Sequence, residues 1–159
     1  EISEMAYNNE KEIAIRAEQM LGTALRSKTS SFADHINRRE GEPSMKDAIA
    51  KSTVKPYGKV RNGTKKFYFR SLSIKMAKHG FIQNAGINTT RSGGTRTRHN
   101  PRETTYGFKS HIMKMNAQPF IDEAIESSGV KEFVMSEVTR LRSEEIVVNI
   151  KNIVESIRR

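Results

Sequence analysis

Residues 66–76 read Lys66-Phe67-Tyr68-Phe69-Arg70-Ser71-Leu72-Ser73-Ile74-Lys75-Met76. Aromatic and aliphatic side chains recur here at intervals of two, the pattern of a strand with one face buried. Phe67, Phe69 and Ser71 fall on one side, and Tyr68, Arg70, Leu72, Ile74 and Met76 on the other. Upstream, residues 54–60 form a second run, and Asn62-Gly63 between the two is a hairpin turn signal. Pro56 has no N–H to give, which puts the first strand at a sheet edge or delays its start. A central hairpin with helical patterns on both sides means an α+β fold. The expected architecture is a long N-terminal helix, a small mainly antiparallel sheet from Val54 to about Met115 with a long basic loop, and C-terminal helices.

Working outward, residues 10–27 predict an amphipathic helix. Ile13, Ala17, Met20, Leu21, Ala24 and Leu25 make one apolar stripe, and Asn9 with Glu12 has capping-box spacing. Residues 27–43 are polar and read as a loop, with irregular helix around Phe32 and Ile36. Ser44 caps a short helix through Ala50. On the other side of the hairpin, His79-Gly80 reads as a turn, with the imidazole bonding a nearby carbonyl. Residues 81–87 are another apolar piece, ending near Gly86. Residues 88–110 offer little to bury and read as a mobile loop of about twenty residues, long enough to be functional or disordered. Residues 111–115 lead out of it as a strand.

Pro119 opens a helix, since proline at the first helical position loses no needed N–H. Phe120 behind it is the expected core anchor, and the helix stops at Gly129. A long C-terminal helix follows. It carries one stripe of Phe133, Val134, Val138 and Leu141, and a second of Ile146, Ile150, Ile153 and Ile157. The phase slip near Ser143 implies a bend or a change of packing partner. The second stripe either packs on the domain's own sheet or forms a seam against another subunit. The chain thus reads as one domain over residues 1–159: a helical arm (1–50), a basic sheet-and-loop region (51–115) and C-terminal helices (116–159).

Charge is distributed unevenly. Residues 51–114 hold fifteen Lys or Arg and one acid, Glu103, while the flanks hold the other thirteen bases and seventeen acids. Such a field faces an anion: a phosphate backbone, a membrane surface, or the acidic arm of a neighbouring copy. Apolar content is 35 %, low for 159 residues, so burial against partners is expected. Cysteine is absent, which removes disulfides, thiolate metal sites and a cysteine nucleophile. No apolar run reaches the ~18 residues of a membrane span. The first fifteen residues are acidic and do not read as a signal peptide.

The residues for catalysis are not assembled. His35, His79, His99 and His111 lack zinc-site spacing, and the basic region lacks the carboxylates of a two-metal nuclease. His99-Asn100 and His111 echo a histidine–asparagine–histidine nuclease without its surroundings. Gly93-Gly94 is followed by no Gly-Lys-Ser/Thr and does not cradle phosphate. No serine sits in a nucleophile elbow. The expectation is a non-enzyme with no catalytic residue, metal or cofactor. Arg91, Arg96, Arg98, Arg102 and Lys109 are candidate contacts for a partner or for DNA, or else belong to a solvated loop.

Two stretches, taken together, carry a resemblance. One is Leu72-Ser73-Ile74-Lys75-Met76-Ala77-Lys78-His79-Gly80-Phe81-Ile82-Gln83-Asn84-Ala85-Gly86-Ile87. The other is Asn116-Ala117-Gln118-Pro119-Phe120-Ile121-Asp122-Glu123-Ala124-Ile125. Their order and spacing resemble the tail-completion, or neck, proteins of long-tailed bacteriophages, in particular the branch from phages of Bacteroides-type hosts. In that layout an aromatic–Gly–aromatic–acid–Gly stretch corresponds to residues 79–86, and an Ala-Arg-Pro-Phe-like lead-in to residues 117–120. Here Gln83-Asn84 stand where an acid is usual, and Gln118 where Arg is. The layout spans residues 14–157, with His79, Gly80, Gly86, Pro119 and Phe120 as its structural positions.

The resemblance implies a non-enzymatic virion protein, assembled in the host cytoplasm. Its subunits would form a ring, six- or twelve-fold, between the portal–connector complex and the tail tube. Genomic DNA would pass non-specifically through the lumen, with no membrane partner. Asp122, Glu123 and Glu126 would offer acidic surface for closing the ring. The competing reading is a non-specific nucleic-acid-binding accessory protein that uses the central basic region.

Overall fold

The computed structural model describes residues 7–32, 43–61 and 64–158. The Asn62-Gly63 turn, His35 and the expectation around Ile36 lie outside the described residues. The fold is α+β, with a long N-terminal helix, small antiparallel sheets and C-terminal helices. The chain divides into two compact units, one of Glu1–Ala77 with Phe120–Arg159 and one of Lys78–Pro119.

The first unit is built around α1 (Glu10–Thr29). The Asn9 side chain accepts from the Glu12 N–H, and the Glu12 carboxylate accepts from the Asn8 N–H, one residue earlier than a capping box requires. Of the expected stripe, Ile13, Ala17, Leu21 and Leu25 are at most 3 % exposed, joined by Ala14, while Met20 and Ala24 are half-buried. Ser44 caps only a single 3-10 turn, Met45–Asp47, rather than a helix through Ala50. The chain is extended from Ala48, because Ile49 and Ala50 already pair with Lys75 and Ile74. Thus β1 (Ile49–Arg61) begins earlier than the sequence pattern indicates, and runs antiparallel to β2 (Thr64–Lys75). Both strands of this two-stranded sheet are edges, so Pro56 is tolerated within β1.

The alternation along β2 does not divide its apolar residues between two faces. Thr53 pairs with Ser71 but Val54 pairs with Phe69, so Arg70 is an extra residue. This bulge shifts the period-two pattern by one. Phe67 and Phe69 before it are half-buried, as are Leu72 and Ile74 after it, while Tyr68 and Arg70 are exposed. The hairpin thereby turns both apolar runs towards α1. Leu72 and Ile74 pack on the core of α1, Lys11 of α1 lies over the Phe67 ring, and the Phe69 N–H donates to Glu10.

α3 (Phe120–Ser128) and α4 (Val130–Ile157) cover the rest of α1. Ala124 and Val130 join the core around Ala17, Leu21 and Leu25. Gly129 between the helices has φ 64, a left-handed conformation that glycine adopts without cost and that stops α3 where the sequence signalled. α4 is unbroken through Ser143. Its first stripe, Phe133, Val134, Val138 and Leu141, is half-buried. Glu10, 5 % exposed, accepts from Arg142 Nε at 2.7 Å and Nη2 at 3.1 Å, tying α1 to α4. Phe120 is 6 % exposed and meets the Phe32 ring edge-on at 5.1 Å. Pro119 is exposed and lies just ahead of the helix it was expected to begin.

The second unit corrects two expectations. His79-Gly80 is not a turn but lies within α2 (Lys78–Ala85). Without a side chain, Gly80 can be buried on this short helix, and His79 is exposed. The turn comes later, at Gly86 (φ 77), whose N–H closes the helix on the Ile82 carbonyl at 2.8 Å. A Cβ at Gly86 would lie 2.8 Å from both the Met115 oxygen and the Ala117 nitrogen, so glycine is required there. Residues 88–110 are not an irregular loop either. β3 (Ile87–Arg91) pairs with β6 (His111–Met115), and β4 (Gly94–Arg98) pairs with β5 (Thr104–Phe108), one hairpin nested inside the other. Threonines at alternate positions supply strand propensity, and the backbone bonds form without apolar cover.

The packing buries Phe120 in the first unit, against Phe32. Phe120→Ala should destabilise the protein by about 3–5 kcal/mol, read from denaturant melts. A loss below about 1 kcal/mol would mean that the ring contributes little to this core.

Candidate functional site

The nested hairpins form a two-stranded ribbon in two segments. The inner segment places Arg91 opposite His111, and the outer places Arg96 opposite Tyr106 and Arg98 opposite Thr104. Between them the backbone is crowded: a Cβ on Gly93 would stand 2.8 Å from the Phe108 oxygen. Lys109 sits in the matching break on the return strand, and Arg102 in the connection at the tip.

Directly opposed residues share a face of an antiparallel pair, so the outer segment has two unlike faces. One presents Gly94, Arg96, Arg98, Thr104, Tyr106 and Phe108. The other presents only Thr95, Thr97, Thr105 and Gly107. On the first face the Arg96 guanidinium lies over the Phe108 ring, 5.7 Å from its centroid, a cation–π contact that orients the charge. Arg98 donates from Nε to the Asn100 carbonyl at 2.7 Å, which fixes its stem near the tip. On the second face the Thr97 and Thr105 hydroxyls bond each other at 3.0 Å.

The structure therefore brings Arg96 and Arg98 together and adds two aromatic residues, Tyr106 and Phe108. It does not place Arg91, Arg102 or Lys109 on that face of the outer segment. The signal for the face was present as Thr95-Arg96-Thr97-Arg98, a period-two repeat of a strand-forming residue and a cation. The second unit carries seven Lys or Arg and one acid, Glu103. Among the described residues, none of those seven makes an ion pair.

The first unit holds a different polar cluster. A groove between α1, the hairpin and α4 is lined in part by Glu10, Tyr57, Lys66, Arg142 and Glu145. Glu145 accepts from Lys66 Nζ at 2.6 Å and from the Tyr57 hydroxyl at 3.0 Å. The Lys66 bond, helped by Tyr57, holds the Glu145 carboxyl below its ordinary range against the opposing effect of partial burial. Burial first, and then the bond to Glu145, pushes the Tyr57 phenol well above its own. Tyr57 also stacks on Tyr68, with ring centroids 3.6 Å apart. Donors and acceptors here satisfy one another, as in a structural network. Among the described residues no group of His, Asp and Glu is arranged to hold a metal ion. No described helix is long and apolar enough to cross a membrane.

A third surface is the end of α4. From Ile146 to Arg158 every residue is exposed. Ile146, Ile150 and Ile153 are 55–58 % exposed and Ile157 is 78 % exposed. The second stripe therefore does not pack on the chain's own sheet. No protein-family model, curated protein or solved structure matches the chain.

The Glu145 network gives stability a defined pH dependence. A carboxyl with a lowered folded pKa stabilises the fold above its unfolded value, near pH ~4.3, and the contribution is lost as pH falls towards the folded value. A phenol with a raised pKa contributes below its unfolded value, near pH ~10, and loses that contribution as pH rises further. Glu145→Gln should flatten the acid limb of a stability–pH curve below about pH 4.3, and Tyr57→Phe the alkaline limb above about pH 10. Acid limbs of equal steepness in wild type and Glu145→Gln would contradict this account.

Proposed function

We propose that this chain is a non-enzymatic structural subunit of a phage neck, or tail-completion, ring that joins the portal–connector complex to the tail. The observation that carries the reading is the exposed end of α4. Ile146, Ile150, Ile153 and Ile157 fall on one line, and Val147 and Val154 widen it to an arc of roughly 120° at 3.6 residues per turn. These last three turns of the 28-residue α4 are exposed on every side, so burial in the chain's own core does little to hold their apolar side chains. A second copy of the chain is the natural cover, because the 4-3-4 spacing suits a helix–helix seam. Oligomers close by symmetry when such a face meets a complementary one.

The ring reading is supported further by where charge is spent. Lys28 holds Glu123 at 3.0 Å, Arg140 holds Glu137 and Glu144, and Lys66 holds Glu145. Acids of the helices are largely engaged within the subunit, while among the described residues none of the second unit's seven cations is spent on an ion pair. The order and spacing of residues 72–87 and 116–125 resemble the neck family. The phage assignment itself rests on that resemblance. A second reading, an accessory protein binding nucleic acid without sequence preference, is favoured by the cationic ribbon alone and does not use the α4 stripe.

Light scattering on the purified protein should give the mass of a closed oligomer, with six or twelve copies expected. Ile150→Asp with Ile153→Asp should shift it to monomer while circular dichroism retains the hairpin and α1. A wild-type protein that stays monomeric at all concentrations would overturn the ring, and so would an unchanged mass in the double variant.

A further inference from the structure

We propose that one face of the outer ribbon, carrying Arg96 and Arg98 with Tyr106 and Phe108, binds the phosphate backbone of duplex DNA, and that the threonine face opposite does not. This deepens the neck reading by naming the surface that meets the genome, and it rests on that reading only for the source of the DNA. A two-stranded ribbon is narrow enough to enter or track the major groove, about 12 Å wide. Arg96 and Arg98 are two residues apart on one strand, roughly 6.8 Å. That equals two steps of rise along the duplex axis, where each strand carries one phosphate per about 3.4 Å. Phe108 holds the Arg96 guanidinium by its face, and the Asn100 carbonyl holds Arg98. The charges are therefore presented at fixed positions, with less side-chain entropy to lose on binding.

Charge complementarity chooses DNA over the acidic surface of a second copy. The second unit has a net charge of +6, from seven bases and one acid. Of the carboxylates on α3 and α4, among the described residues Glu126, Glu132 and Glu155 carry no hydrogen bond or ion pair, whereas Glu123, Glu137, Glu144 and Glu145 are engaged. On the described α3 and α4 of a neighbouring copy the unengaged anions are thus few and spread along two helices, whereas a duplex offers them in an unbroken row. Contacts to phosphate carry no sequence information, so binding by this face is expected to ignore sequence.

The test matches charge between the two faces. Arg96→Gln with Arg98→Gln and Thr95→Glu with Thr105→Glu each lower the net charge by two, on opposite sides of the same ribbon. Fluorescence anisotropy with random-sequence duplexes is recorded over a range of salt concentrations. Circular dichroism checks folding, and light scattering on the same samples gives oligomeric state. The arginine pair should weaken binding about tenfold or more near physiological salt. It should also reduce the slope of log affinity against log salt by about 1.8, two phosphates at 0.9 each. The threonine pair should leave that slope unchanged and weaken binding far less. Equal losses from both pairs would reduce the site to a diffuse field and overturn the proposal. So would wild-type binding by the arginine pair, or equal competition by polyglutamate, which would point to an acidic protein surface instead. Rings that form while the arginine pair binds normally defeat only this inference. A monomer whose binding depends on Arg96 and Arg98 defeats only the ring.

Discussion

Apolar side chains are scarce in this chain, and α1 claims those that make the core. Its stripe from Ile13 to Leu25 is covered by Leu72 and Ile74 of the hairpin and by Ala124 and Val130 of the C-terminal helices. Burial at about 25 cal/mol per Å² of apolar surface is the main favourable term in folding, so the placement of this stripe decides where everything else sits. The β2 bulge at Arg70 follows from it, because without a one-residue shift either Phe67 and Phe69 or Leu72 and Ile74 would face water. Glu10 follows from it as well. At the start of α1 its carboxylate is buried, and the Arg142 guanidinium and the Phe69 N–H occupy its lone pairs. A buried carboxylate left without those donors would be costly.

What α1 leaves uncovered carries the functional argument. The last turns of α4 expose isoleucines along one line, and the ribbon of the second unit exposes arginines on one face. Neither surface contributes to the core. Monomeric proteins rarely expose long apolar stripes without a partner. The two surfaces differ in chemistry, one aliphatic and one cationic, and so they call for different occupants. That division suits a ring subunit, which must meet copies of itself and also whatever passes through the ring.

Much of the first unit was legible in the sequence, because period and caps act locally. The α1 stripe, Ser44 as a cap, the hairpin, the stop at Gly129 and the slip in α4 all came from spacing. What stayed hidden depended on distant partners. The early start of β1 depends on a ladder with Lys75 and Ile74, and the Arg70 bulge on how the hairpin meets α1. In the second unit, polarity concealed structure. Residues 88–110 have little to bury, which reads as a loop, yet a ribbon satisfies its backbone with little burial. Thr95-Arg96-Thr97-Arg98 held the alternation all along. His79-Gly80 looked like a turn because glycine usually signals one, whereas the chain turns at Gly86, where a side chain would strike the Met115 carbonyl. The aromatic part of the ribbon face could not be found before pairing was known, since Tyr106 and Phe108 join Arg96 only across the strands.

The central claim is that the end of α4 is completed by another copy of this chain. Hydrogen exchange across residues 146–157, followed by mass spectrometry as the protein is diluted, tests it most directly. Assembly should protect these amides at high concentration, and the protection should vanish on dilution while the amides of α1 remain slow. Protection that is equally strong in a verified monomer would contradict the account, as would rapid exchange at every concentration.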